Sequence, residues 1–366
     1  MATDSKHLRY IDGLRGAAVI MVMCRHFYLA AFAAGLPHWA DVLGLGYLGV
    51  HFFLLLSGFC IAWAYVGPNA RSFTSGEFAY RRAMRILPPY YVALGISLAL
   101  WLLVERRAPS AVFGQVLTHL TMTHNLFRST VLELNGPFWS LALESQLYVA
   151  FPFLLLGFRR FGVARVLALV LVLQSAFRIF VMRYGTGYTG MTFVIPWSVA
   201  GRLFEFGLGM WAAELVSHGI GARLRSAARL GLGAAATLLA GLAWLAKGRL
   251  GVSHPITDLS WTAAFFCLLI GASSPRGLWH RVLSFGPITG LGVMCYSTYL
   301  IHALVLEPVT NLLLGRFGGH SPLFLLPVVF AATLVPCYAF YRLVERPFIQ
   351  LFRARRRSPI PAAITP

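Results

Sequence analysis

An all-α, polytopic membrane protein of about ten transmembrane helices is the fold class this sequence predicts, on three observations. The 366 residues are 58% hydrophobic and only 12% charged, about half the charge of an ordinary soluble domain. Apolar stretches near the ~20 residues needed to cross a bilayer core recur from end to end. The surplus of basic residues, a net charge of +19, alternates along the chain in step with those stretches.

The spans are placed near residues 16–34, 44–66, 86–104, 139–158, 166–182, 193–215, 230–246, 258–273, 286–305 and 322–345. With the N-terminus inside, the inner segments carry twenty Lys and Arg residues against seven on the outer ones. That is the bias expected of cytoplasmic loops, and the opposite orientation inverts it. Both termini are therefore expected in the cytoplasm. The basic balance reads as topology and contact with the lipid bilayer, not as a nucleic-acid footprint. One membrane domain over residues 1–350 and a basic cytoplasmic tail over 351–366, expected to be disordered, account for the chain, with no appended extracytoplasmic domain expected. All five cysteines (Cys24, Cys60, Cys267, Cys295, Cys337) fall in predicted spans without a C-x-x-C pair, so neither disulfides nor a metal cluster is expected.

The segment before the first span is polar and no small-residue cleavage site follows that span, which predicts a retained helix. Within it, Arg15 and His26 are eleven positions apart. They share one helix face with a rise of about 16 Å, which puts Arg15 at the inner boundary and His26 near the middle of the membrane. Intramembrane ionisable residues are costly and point to function. Pro88 and Pro89, in "RRAMRILPPYY", are expected to break or tilt the start of the third span. The outer segment 105–138 is too short and polar to cross, so a helix lying at the surface or dipping partway in is expected. Its His119 and His124 are badly spaced for a shared metal.

Span four begins at "NGPFWSLALESQLYVAFP", with Trp139 and Ser140 at the interface and Glu144 about a turn inside. An isolated buried carboxylate is costly, so Glu144 is expected to orient His26, bind hydroxyls of a ligand, or pair with Arg25 or Arg178. Ser57 reads as a packing or hydrogen-bonding residue. Arg202 with Glu205, and Arg342 with Glu345, stand at a spacing that pairs on one helix. His302 is read as a core histidine able to line the same cavity as His26.

Several stretches resemble the membrane-bound acyltransferase 3 family, in the family's order. They are "LRGAAVIMVMCRHF" with its Arg-x10-His, "GVHFFLLLSGF" at 49–59, "RRAMRILPPYY" at 81–91, the "WSL" stretch of span four, "YSTYLIH" at 296–302 and "ERPF" at 345–348. His51 departs from the acidic residue or glutamine expected after "GV". The resemblance implies an O-acyltransferase in which His26 is the essential histidine and Arg15 its basic partner. Arg82 and Arg85 then match the Arg-x-x-Arg at the start of span three, and Glu144 the acidic residue after "WSL".

Catalytic roles are accordingly expected for His26 and Glu144, and donor-binding roles for Arg15, Arg82 and Arg85, with no metal. The implied co-substrate is acyl-CoA, with acetyl-CoA expected, and the acceptor is a hydroxyl of a cell-surface or exported glycan. A small glycosylated metabolite such as a macrolide is the first rival acceptor, and a transporter of lipid-linked glycans or solutes the rival class. Arginine suits the donor's phosphates because it forms strong charge-assisted, bidentate bonds to them. Histidine suits the proton of the attacking hydroxyl because its ordinary pKa lies near neutrality.

Overall fold

In a computed structural model the secondary structure of the described residues is all helical. The structure describes residues 8–104, 112–188, 198–224, 254–317 and 322–357, with positions 232, 233, 235, 238, 239, 241 and 242 between them. The helices used below are α1 (Arg9–Ala31), α2 (Leu48–Val66), α3 (Ser75–Leu103), α4 (Val112–Leu120), α5 (Phe138–Phe161) and α6 (Val163–Tyr188). They continue as α7 (Val199–Ser217), α8 (His254–Ala272), α9 (Gly286–Val293), α10 (Cys295–Phe317), α11 (Leu326–Phe340) and α12 (Arg346–Arg357).

Among the described residues seven helical stretches are long and apolar enough to cross a membrane: Arg9–Ala31, Asp41–Val66, Ser75–Leu103, Phe138–Phe161, Val163–Val181, Cys295–Phe317 and Pro322–Leu351. The protein is a polytopic membrane protein. α7 and α8 lie where spans six and eight are expected, while the seventh predicted span, 230–246, falls largely outside the described residues.

Close backbone approach sets the packing. Helices in lipid gain little from the hydrophobic effect and associate where small residues let backbones touch. α1 meets α9 in this way: a Cβ on Gly16 would collide with the carbonyl of Ile288, and one on Gly292 with that of Asp12. α2 meets α7 likewise, with Gly58 against Phe206 and Gly209 against Leu55. Large apolar side chains such as Phe59, Phe138, Phe151 and Phe206 fill the space between the elements.

The structure corrects three expectations about elements. The predicted ninth span, 286–305, is two helices, α9 and α10, separated at Met294. Three glycines in the eight residues of α9 favour a break there, and the true span runs on to Phe317. α3 is continuous through Pro88 and Pro89, so the expected break does not occur. These prolines remove two helical amides, and in the same turn the Tyr296 hydroxyl donates to the Ile86 carbonyl at 2.8 Å. Finally, part of the basic tail is helix: α12 continues to Arg357, and residues 358–366 lie outside the described part.

The outer segment behaves as expected. α4 has nine residues, too few to cross. It is stitched to α3 by the Tyr90 and Tyr91 hydroxyls, which donate to the carbonyls of His119 and Leu120. Farther along, Asn135 Nδ2 donates to the Leu300 carbonyl of α10 at 2.9 Å. The segment is therefore drawn into the bundle rather than laid over it.

Candidate active site

α1 fixes the axis of the site, because Arg15 and His26 project from one face about three turns apart. At the Arg15 end, Arg82 and Arg85 come from the first turns of α3, and all three guanidinium groups act electrostatically on the Cys60 thiol of α2. Arg15 and Arg82 are half-buried and Arg85 is exposed. Among the described residues none of the three forms an ion pair. Arg82 lies over the rings of Phe78 and Tyr148 at 6.0 and 5.8 Å, whereas its neighbour Arg81 pairs with Glu77. The three residues expected to bind the donor are thus gathered into one cationic group.

From Arg15 a partly open cavity, about 460 Å³ with the solvent space at its mouth included, runs between α1, α2, α5 and α10. Val50, Phe53, Leu54 and Leu141 form its apolar wall, and Glu144, Ser140, Cys295, Tyr296 and Tyr299 supply polar atoms. Glu144 thus faces the same space as Arg15. It accepts hydrogen bonds from the Ser57 and Tyr148 hydroxyls, each at 2.5 Å, so Ser57 is a hydrogen-bonding residue. Ser140 and the Tyr299 hydroxyl are 2.5 Å apart and join α5 to α10 beside the cavity.

His26 is not bonded to Glu144. Its Nδ1 lies 2.8 Å from Oε1 of Glu307, and its ring meets the edge of His302 at 4.8 Å. His302 in turn packs on Tyr299, 5.7 Å between ring centres, so the histidine pair stands just beyond the cavity's Tyr299 wall. The His26 side chain is 17% exposed and that of Glu307 46%, which makes this end of the axis accessible too. Sequence reasoning missed Glu307 because the ninth span was ended at 305, which turned an intramembrane carboxylate into a loop residue. His302 is fully buried, as expected of a core histidine, and packs against His26.

The remaining intramembrane charges sort differently. Arg25 does not reach Glu144; it lies over Tyr28 and leans toward the Gly44 carbonyl. Nor does Arg178, which is 2% exposed and pairs with Glu205 and Asp258. Arg202 pairs with the same two carboxylates, at 3.2 and 3.0 Å, and its Nη1 lies 3.0 Å from Nδ1 of His51. Gln174 donates to Glu205. Two cations and two anions thus tie α6, α7 and α8 together against α2. The expected Arg342–Glu345 pair is absent. Arg342 donates to the Tyr338 hydroxyl, while Glu345, carried inward by a π-helical turn over Tyr341–Glu345, accepts from the amide and hydroxyl of Ser297. It thereby caps the N-terminus of α10, where a carboxylate is favoured.

In the outer segment the buried rings of His119 and His124 stack in parallel, 3.9 Å between centres. Burial holds His119 below its ordinary pKa and pushes His124 down to about 3, with His119 itself adding to the shift. Among the described residues no group of three or more His, Cys, Asp or Glu side chains is arranged to hold a metal ion.

Residues 8–342 match the family model described as "Acyltransferase domain". Among curated proteins, the O-acetyltransferase OatA of Staphylococcus aureus is 24% identical over 93% of this chain and 57% of its own. The putative membrane-bound transacylase BcsY of Komagataeibacter xylinus is 27% identical over 97% of this chain and 85% of its own. The exopolysaccharide production protein ExoZ of Rhizobium meliloti is 29% identical over 85% and 92% respectively. The chain spans little more than half the length of OatA. No solved structure matches it.

Proposed function

The chain belongs to the acyltransferase 3 family of integral membrane acyltransferases, and from that premise we propose that it moves an acetyl group from cytoplasmic acetyl-CoA to a hydroxyl of a cell-surface or exported glycan. The observation that carries this reading is the cluster of Arg15, Arg82 and Arg85, free of ion pairs among the described residues, at one end of a cavity whose Tyr299 wall leads through His302 to His26. Three cations in no ion pair suit the phosphates of coenzyme A, which bring negative charge. The apolar wall suits the uncharged pantetheine arm, whose thioester then approaches the histidine. The names of the relatives, an O-acetyltransferase and an exopolysaccharide production protein among them, support acetyl as the group and a glycan as the acceptor.

In the reaction the acceptor oxygen attacks the thioester carbonyl while His26 takes its proton. The carbon–sulfur bond then breaks, and the departing thiolate of coenzyme A recovers a proton from the imidazolium. Glu144, held by Ser57 and Tyr148 inside the cavity, is a group for orienting the acyl or acceptor end. Glu307 and the accessible end of α1 give the acceptor its approach, opposite the arginines.

The test is transfer of radiolabelled acetyl from acetyl-CoA into glycan in membrane vesicles. His26→Ala and His26→Gln should each lose at least about a hundredfold in rate, with protein level and CoA binding retained, because an amide cannot take the proton. Transfer by His26→Gln at the wild-type rate contradicts the assignment.

A further inference from the structure

The hydrogens on the two facing histidines can be assigned from their partners. Glu307 offers His26 a carboxylate, which only accepts, so the bond at 2.8 Å requires the hydrogen on His26 Nδ1. His302 Nδ1 lies 3.0 and 2.9 Å from the carbonyls of Thr298 and Tyr299, which also only accept, so it too carries its hydrogen there. The His302 Nε2 is then a bare lone pair, buried and without a hydrogen-bond partner. It has no hydrogen to give His26, and the rings meet edge to face, 79° apart. Among the described residues Glu307 is the one group that holds His26 by a hydrogen bond.

Glu307 has no other visible occupation. Glu205 and Glu345 are buried and tied into networks of several bonds, as intramembrane carboxylates must be when they serve the fold. Glu307 stands in the apolar run "LVLEPV" of α10, is 46% exposed, and makes its single bond to His26. Residues 302 and 307 are about 140° apart on an ideal helix, so the ring of His26 is embraced from two sides, by an imidazole edge and by a carboxylate.

We propose that Glu307 is the positioning residue for His26. It anchors Nδ1–H, leaves Nε2 as the lone pair that receives the acceptor's proton, and balances the imidazolium formed at that moment. The proposal rests on His26 being the base. It predicts a graded series, because aspartate keeps the charge, glutamine keeps only an acceptor, and alanine keeps neither.

Two measurements test it, both on the full chain. In vesicles supplied with acetyl-CoA, Glu307→Ala should lower kcat about a hundredfold with the KM for acetyl-CoA unchanged, Glu307→Gln should fall between, and Glu307→Asp should recover most of the rate. In a His26→Ala background Glu307→Ala should cost nothing further. In purified, 15N-histidine-labelled protein, the His26 signal, identified by its loss in His26→Ala, should report an Nδ1–H tautomer that changes in Glu307→Ala. Wild-type kcat in Glu307→Ala beside an inactive His26→Ala overturns this inference alone, as does a His26 signal indifferent to Glu307. Full activity in His26→Ala overturns the reading on which it rests.

Discussion

Arg178 and Arg202 are each paired with two carboxylates, whereas among the described residues Arg15, Arg82 and Arg85 form no ion pair. The first group is also the buried one, at 2% and 5% exposure; the second is half-buried or open. A cation taken fully out of water must be neutralised locally or the fold cannot bear it. A cation left at an accessible mouth keeps its hydration and waits for an anion. Pairing and exposure therefore separate a structural knot from a binding site, although both are arginine clusters near apolar helices.

The largest effect expected from this contrast is on stability. Glu205→Ala leaves two buried guanidinium groups sharing one carboxylate, and breaking such a pair costs about 3–5 kcal/mol. Thermal unfolding in detergent should fall steeply for this variant and barely move for Arg82→Ala. Equal losses in the two would erase the distinction.

The outer segment offers a third case, a titratable pair buried without charge. Because His124 is held at about 3 in the folded chain, against about 6.5 for a free histidine, protons bind the unfolded segment first. The stability it lends is complete above about pH 6.5 and is lost as pH falls toward 3, reaching about 2 kcal/mol at pH 5. Protection factors over residues 112–137, corrected for the slower intrinsic exchange at low pH, should fall between pH 7 and pH 5, and His124→Phe should flatten that dependence. Protection independent of pH would mean that the stack opens at no such cost.

A smaller effect concerns access. Cys60 is half-buried beside the three arginines, and an anionic thiol reagent in excess at alkaline pH should modify it. Saturating acetyl-CoA should slow that reaction severalfold, as read by peptide mass spectrometry. No protection would place the donor elsewhere.

Much of the fold was legible because bilayer thickness imposes length and apolarity on each span. The Arg15–His26 register was legible because helical geometry is fixed. The likeness to the acyltransferase 3 family was carried by motifs that needed no structure. What escaped were contacts between elements far apart in the chain. Glu144 finds Ser57, eighty-seven residues away, and His26 finds Glu307, two hundred and eighty-one away; no periodicity announces either. Glu307 was lost for a local reason as well. The glycine-rich stretch 286–293 looked like the start of a span but is a separate short helix packed on α1, and shifting the span boundary hid the carboxylate. The Arg342–Glu345 pair failed because the π-helical turn aims Glu345 at the N-terminus of α10 instead.

The central claim is that the unpaired arginines receive the donor's phosphates, and equilibrium binding of CoA to the purified full chain tests it most directly. Each lost charge-assisted contact is worth about 1.5–3 kcal/mol, so Arg82→Ala/Arg85→Ala should weaken binding at least about a hundredfold. Added salt should weaken the wild type and affect the double variant little, and thermal stability should stay intact. Binding that is unchanged in a folded double variant, with the same salt dependence as the wild type, would contradict the account.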